Sequence, residues 1–255
     1  MRDNPVKRRL AEGGTAHGTM MFEFLSPGLP AILANAGCDF VFYDMEHSGF
    51  SIEQLKTQLA LCRGLGIVPL VRPPGKSYSY TARLLDIGAM GFLFQMVESA
   101  EEAEKLVRWT RYPPEGVRGA MFGGAHDDYG SDPMPDTMAA AHERTQVCAL
   151  IETAKGLENV EEIVAVPGVD VAHLGHADLS MSLGIPGDFE HPKLQAGIDR
   201  IIAACEANGK TAACLVGDAE LGRDWMARGF RMVSYKHDIA VFQQALKAGI
   251  DALKG

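Results

Sequence analysis

The chain has 255 residues, 47% of them hydrophobic and 22% charged, with a formal net charge of −9. That length suits one large domain with its own core. The acidic balance argues against nucleic acid or an anionic membrane as a partner, although a local basic pocket can still take a small anion. Five cysteines, Cys38, Cys62, Cys148, Cys205 and Cys214, are odd in number and form no C-x-x-C pair. A disulfide framework or thiolate zinc site is therefore not expected, and a reducing, cytoplasmic setting fits. The opening MRDNPVKRRLAEGGTAHG has no apolar signal core, and no apolar run reaches the length of a membrane span.

In chain order, short apolar runs alternate with amphipathic ones. Strands are expected near 16–22, 39–45, 67–72, 91–97, 146–152, 169–175, 210–216 and 230–236, each apolar throughout, as strands buried on both faces should be. Ser51-Ile52-Glu53-Gln54 reads as a capping box ahead of Leu55, Leu59 and Cys62 at helical spacing. Ser99-Ala100-Glu101-Glu102 reads as a second box, whose helix stops before Pro113-Pro114. The irregular stretch 113–135, rich in Gly, Pro and Asp, reads as an active-site loop. Leu194, Ile198, Ile201 and Cys205 mark a helix ended by Gly209, and Asp218 and Asp238 are expected to N-cap the last two helices. Such alternation requires a parallel sheet with right-handed crossovers. Without a G-x-G-x-x-G turn after the first strand, an open doubly wound sheet is disfavoured. The expectation is an α/β fold, a single (β/α)₈ TIM barrel over residues 1–255.

In such a barrel, chemistry gathers where strands end. Strand two ends Tyr43-Asp44-Met45-Glu46-His47, and strand three ends Val71-Arg72-Pro73-Pro74. Strand five ends Leu150-Ile151-Glu152, strand six Leu174-Gly175-His176-Ala177-Asp178, and strand eight Tyr235-Lys236-His237-Asp238. The groups have ordinary structural readings: Asp178 as a helix cap, Glu152 at a helix dipole, Arg72 in an ion pair and His47 as a surface or core histidine, with Asp86 a solvated helix residue before Gly88. Coincidence at four strand ends is the weaker explanation of the whole ring.

These residues resemble the class II pyruvate aldolases of the 4-hydroxy-2-oxoheptanedioate and 2-dehydro-3-deoxyglucarate aldolase family, from about Gly18 to the C-terminus. The anchors are Asp44-Met45-Glu46-His47, Val71-Arg72-Pro73, Arg111 through Gly119, Ile151-Glu152 and Gly175-His176-Ala177-Asp178-Leu179-Ser180. The resemblance implies a phosphoenolpyruvate/pyruvate-type barrel in which Glu152 and Asp178 ligate a divalent metal. It implies that Arg72 binds the keto or enolate oxygen and that His47 is the acid/base group, oriented by Asp86 with Asp44 near by. It places the N–H groups of Ala177 and Asp178 at the substrate carboxylate, with Gly175 and Leu215 also in the substrate site. It further implies a homo-oligomer, a hexamer of dimers that exchange C-terminal helices, with neighbouring subunits helping to close each site.

The chemistry suits those types of side chain. Two carboxylates with open positions fit a hard cation, Mg²⁺ or Mn²⁺ with Co²⁺ as a further option. Such an ion polarises a 2-oxo acid toward a metal-bound enolate, which attacks an aldehyde, while a histidine handles the alkoxide proton. Lys236 supports a rival reading, a class I Schiff-base aldolase. A second rival is another metal-enolate lyase, acting on acyl-CoA thioesters, and a third is a barrel kept only for binding. Several positions depart from the family pattern: Leu150 stands where Gln is usual, His176 replaces a Pro, Met20 a Trp, and Lys236 a small residue. Leu150 therefore removes a hydrogen-bonding amide beside the metal, and His176 is one candidate to replace it. The loop after Arg118-Gly119 carries Asp127 and Asp128, which are expected to repel a second carboxylate and favour neutral hydroxyaldehydes. Arg118 or Lys236 would be the alternative cation for such a carboxylate.

Overall fold

The computed structural model describes residues 1–255. Eight parallel strands close in sequence order into a barrel. They are β1 (Ala16–Met21), β2 (Phe40–Asp44), β3 (Val68–Arg72), β4 (Gly91–Phe94), β5 (Gln146–Ile151), β6 (Val171–Leu174), β7 (Thr211–Val216) and β8 (Met232–His237). The helices are α1 (Pro5–Ala11), α2 (Leu29–Asn35), α3 (Ile52–Leu61), α4 (Tyr78–Asp86), α5 (Ala100–Thr110), α6 (Met134–Arg144), α7 (Ala154–Glu158), α8 (Val160–Ala165), α9 (His176–Ser182), α10 (Pro192–Ala207), α11 (Ala219–Arg228) and α12 (Asp238–Lys254). None of them is long and apolar enough to cross a membrane, and all five thiols are free.

The strands are apolar on both faces because each face has its own core. Phe40 and Phe42 of β2, Val68 and Leu70 of β3, Cys148 and Leu150 of β5, and Val171 of β6 fill the barrel interior. Their alternate neighbours Val41, Tyr43, Val71, Ala149, Ala172 and Leu174 pack outward against the helices. Bulky phenylalanines inside demand a gap on a facing strand. A Cβ on Gly18 would lie 2.3 Å from the Phe40 carbonyl oxygen and 2.7 Å from its ring, so only glycine fits there.

Helix α1, which the sequence reading did not anticipate, has Asn4 as its cap, accepting from Lys7 N–H at 3.0 Å. Its Val6 and Leu10 join the interior core and cover the end of the barrel where strands begin. The Ser51–Gln54 box forms with both bonds present. The second box is a correction: Ser99 caps α5, but Glu102 accepts from Glu98 N–H and pairs with Lys76. Asp218 caps α11 as expected. Asp238 does not cap α12; His237 does, through Nδ1, because the Asp238 carboxylate instead accepts from the N–H groups of Phe22, Glu23 and Phe24. The exposed residues of α12 include Val241, Phe242, Leu246, Ile250 and Leu253, an apolar stripe that begins beside an open groove lined by Met21, Phe24, Leu29 and Leu33, where Phe242 meets Phe24 at 5.5 Å, and continues uncovered toward the C-terminus.

Candidate active site

The strand ends that carry reactive groups meet around one cavity of about 240 Å³. His47, Arg72, Glu152, Gly175, His176, Ala177, Asp178 and His237 line its upper part, and Met20, Leu93, Leu150, His173 and Leu215 line it with Phe22 and Leu174.

Asp44 ends β2 and is wholly buried. Its carboxylate receives the Arg72 guanidinium through Nε and one terminal nitrogen, and the His47 N–H at 2.7 Å. The buried pair fixes the Arg72 fork, whose other terminal nitrogen lies 3.3 Å from Glu46 Oε2. The Phe22 ring lies 5.7 Å from the Arg72 guanidinium carbon. His47 stands at the mouth with a half-exposed ring, 3.7 Å from the same Glu46 oxygen.

Glu152 follows β5 and is 6% exposed. Its Oε1 accepts the Met96 N–H at 2.8 Å, from a residue held at φ 48°. That left-handed backbone is unfavourable for a methionine and is placed where it serves the carboxylate. Burial raises the Glu152 carboxyl to about 7, the Met96 N–H opposes this, and the charges of Asp178 and Glu46 raise it further. Glycine at 175 leaves room for it, since a Cβ there would lie 2.5 Å from Glu152 Cβ and 3.0 Å from Oε2. Asp178, exposed in the first turn of α9, faces the same cavity.

Nowhere in the chain do three or more His, Cys, Asp and Glu side chains gather in metal-ligand geometry. A buried carboxylate beside two further carboxylates is nevertheless an oxygen donor set short of positive charge, and it fits a hard dication that draws its remaining ligands from water and substrate.

Three expectations are corrected by this geometry. Asp86 does not orient His47 within the chain. It ends α4, a helix that runs back toward the strand-start end of the barrel, and its partner there is Arg118 at 3.0 Å. Lys236 does not line the cavity: its φ of 50° turns it outward, where Nζ bonds Gln244 of α12. The stretch 113–135 is not an active-site loop of its own barrel, because it connects α5 to α6 ahead of β5 and so lies at the strand-start end. There Asp127 accepts from Gly123 N–H and Asp128 pairs with Arg2 and Arg63, so neither aspartate faces the cavity. Arg118, likewise at that end, is not a cation of this cavity.

His176 lines the cavity as well. Its ring packs edge-on against Phe189 and Trp225, 5.0 and 5.5 Å away, so it is held by aromatic contacts. Sequence reasoning missed Phe22, Glu46, His173 and His237. His237 and Glu46 sat within quoted strand-end groups, whereas Phe22 and His173 carried no separate signal.

Residues 19–245 match the family model described as HpcH/HpaI aldolase/citrate lyase. The chain belongs to the HpcH/HpaI aldolase/citrate lyase family. A 5-keto-4-deoxy-D-glucarate aldolase of Citrobacter koseri is 35% identical over 223 residues, covering 88% of this chain and 86% of its own. A hydroxypyruvate/pyruvate aldolase of Roseobacter denitrificans is 36% identical over 245 residues, with 93% and 92% covered. The structure of an HpcH/HpaI aldolase from Desulfitobacterium hafniense superposes with a TM-score of 0.93 at 30% identity, over 98% of this chain and 96% of that one. As a member of the HpcH/HpaI group, the chain is an aldolase, a carbon–carbon lyase. Aldolases of the family depend in general on a metal.

Proposed function

We propose that this aldolase makes or cleaves the bond between a pyruvate-type 2-oxo acid, hydroxypyruvate included, and an aldehyde, with Glu152 and Asp178 holding a divalent cation, Mg²⁺ or Mn²⁺. The observation that carries the reading is the buried Glu152 carboxyl, raised to about 7 beside Asp178 and Glu46, in a cavity that also holds Arg72. The names of the relatives supply the substrate class.

When bound, the cation supplies Lewis-acid polarisation of a keto oxygen. Arg72 donates to the oxygen on which negative charge gathers, and the buried Asp44 keeps its fork planar and aimed. The N–H groups at the start of α9, among them those of Ala177 and Asp178, have no intrahelical acceptor and hold the substrate carboxylate. His47, at the mouth, gives or takes the proton of the aldol hydroxyl. Gly175 keeps the wall open, and Leu215 shapes the apolar side of the donor pocket. Lys236 weighs against the Schiff-base alternative, since it lies outside the cavity lining with Nζ on Gln244. The exposed apolar stripe of α12 supports exchange of C-terminal helices in a hexameric homo-oligomer, and the five free thiols suit a cytosolic setting.

The test is a panel of 2-oxo acids and aldehydes assayed with Mg²⁺, Mn²⁺ and Co²⁺. Turnover that a chelator abolishes and added metal restores is expected. Full activity of metal-stripped protein, with pyruvate trapped on Lys236 by borohydride, would overturn the reading.

A further inference from the structure

We infer that His173 determines donor specificity: its Nε2 accepts a hydrogen bond from a hydroxyl on C3 of the 2-oxo acid, so that 3-hydroxy-2-oxo acids are favoured over pyruvate. This rests on the reading of the cavity as a 2-oxo acid site.

Three observations converge on this ring. His173 lies on the inner face of β6, 3% exposed, and lines the cavity. Its Nδ1 is 3.1 Å from the Leu174 carbonyl oxygen. A carbonyl only accepts, so the proton sits on Nδ1 and Nε2 carries a lone pair. Nε2 is buried and has no partner. A buried acceptor left unpaired is costly, and a bound ligand or water is the usual resolution.

The surroundings select the kind of ligand. Burial holds the imidazole far below its ordinary range, to about 3, so it stays neutral and offers no charge to a second carboxylate. The Arg72 guanidinium, held by Asp44 and Glu46, donates no hydrogen bond to this imidazole. Leu150 is the register partner of His173 across β5 and β6, and Met20, Leu93 and Leu215 complete an apolar lining. One lone pair in an apolar lining suits a single O–H on a short carbon arm. The level is also right. His173 sits two residues before Gly175 on β6, and two strand residues span about 6–7 Å. A donor anchored near Gly175 and Glu152 therefore has His173 one layer below it, within reach of a hydroxyl on C3. Leu150 lacks the amide that resembling sequences carry there, and the polar group of this pocket stands on the adjacent strand instead.

The experiment measures dissociation constants of pyruvate, 3-hydroxypyruvate and 3-fluoropyruvate by calorimetry on the Mn²⁺-loaded protein. Fluorine resembles hydroxyl in size but cannot donate. Wild type should bind hydroxypyruvate about tenfold more tightly than fluoropyruvate, the upper range for a neutral hydrogen bond. His173→Phe, a ring of similar shape beside Phe42, should bring the three constants within about twofold of one another, on the scale where tenfold is ~1.4 kcal/mol. His173→Gln should restore part of the preference. Equal wild-type constants for hydroxypyruvate and fluoropyruvate overturn the inference even if His173→Phe fails to fold, as does an unchanged preference in folded His173→Phe. If wild type binds none of the three, the 2-oxo acid reading itself fails, a different outcome from binding all three alike.

Discussion

Among single residues, Glu152 carries the sharpest expectations. Its folded-state carboxyl is raised to about 7 from an ordinary 4.5. Between those values the native state holds a proton that the unfolded chain has lost. The contribution to stability is thus full below about 4.5 and is lost as pH rises through about 7, a change of about 3 kcal/mol. Metal-free protein should therefore show a Tm that falls across this window, and Glu152→Gln should flatten the fall. A cation must displace the same proton. Mn²⁺ affinity should rise by up to about tenfold per pH unit below 7 and level off above it, as isothermal titration at several pH values will show. Glu152→Ala and Asp178→Ala should each nearly abolish turnover, whereas His47→Ala should keep metal and pyruvate binding and lose kcat by roughly 10²–10⁴-fold. Arg72→Lys keeps the charge but abandons the fork on the buried Asp44. A kcat/KM loss of more than about tenfold is expected, larger than any change in metal affinity.

At the level of elements, most of the barrel was legible because buried parallel strands advertise themselves as short apolar runs. The boundaries drifted where a function intervened. Strand four was expected to run through Val97, but β4 ends at Phe94, and Met96 turns left-handed to give its N–H to Glu152. No local pattern announces that a backbone amide is needed by a carboxylate on the next strand. Inward and outward alternation was equally silent on His173, since a histidine within an apolar strand reads as an ordinary core residue until its unpaired Nε2 is seen. Loop 113–135 has an active-site composition, yet its position between α5 and α6, ahead of β5, puts it at the opposite end. Asp86 goes with it, bonded to Arg118 rather than His47. Capping transferred in full at Ser51 and Asp218, but not at Ser99, whose box stays open, nor at Asp238, whose carboxylate is taken by the Phe22–Phe24 amides. Ser51→Ala should cost about 1 kcal/mol by chemical denaturation, with kcat unchanged, because α3 contributes no side chain to the cavity.

On the scale of the whole molecule, α12 is the element whose apolar surface its own barrel covers least. On the proposed exchange of C-terminal helices, charged substitutions on its stripe, such as Phe242→Glu with Leu246→Glu, should reduce the mass measured by light scattering toward the 27.5 kDa of one chain, and a wild type already at 27.5 kDa would overturn that proposal. The helix is also tied to the mouth of the barrel. Asp238, in its first turn, gathers the amides of Phe22, Glu23 and Phe24, and Phe22 lies over Arg72. A tether of this kind means that whatever steadies α12 also steadies the rim around the guanidinium. Specific activity should accordingly decline on dilution in step with loss of assembly. Asp238→Asn, which weakens the tether while leaving the stripe intact, should loosen the amides of residues 22–24 in hydrogen exchange and separate catalytic output from particle size.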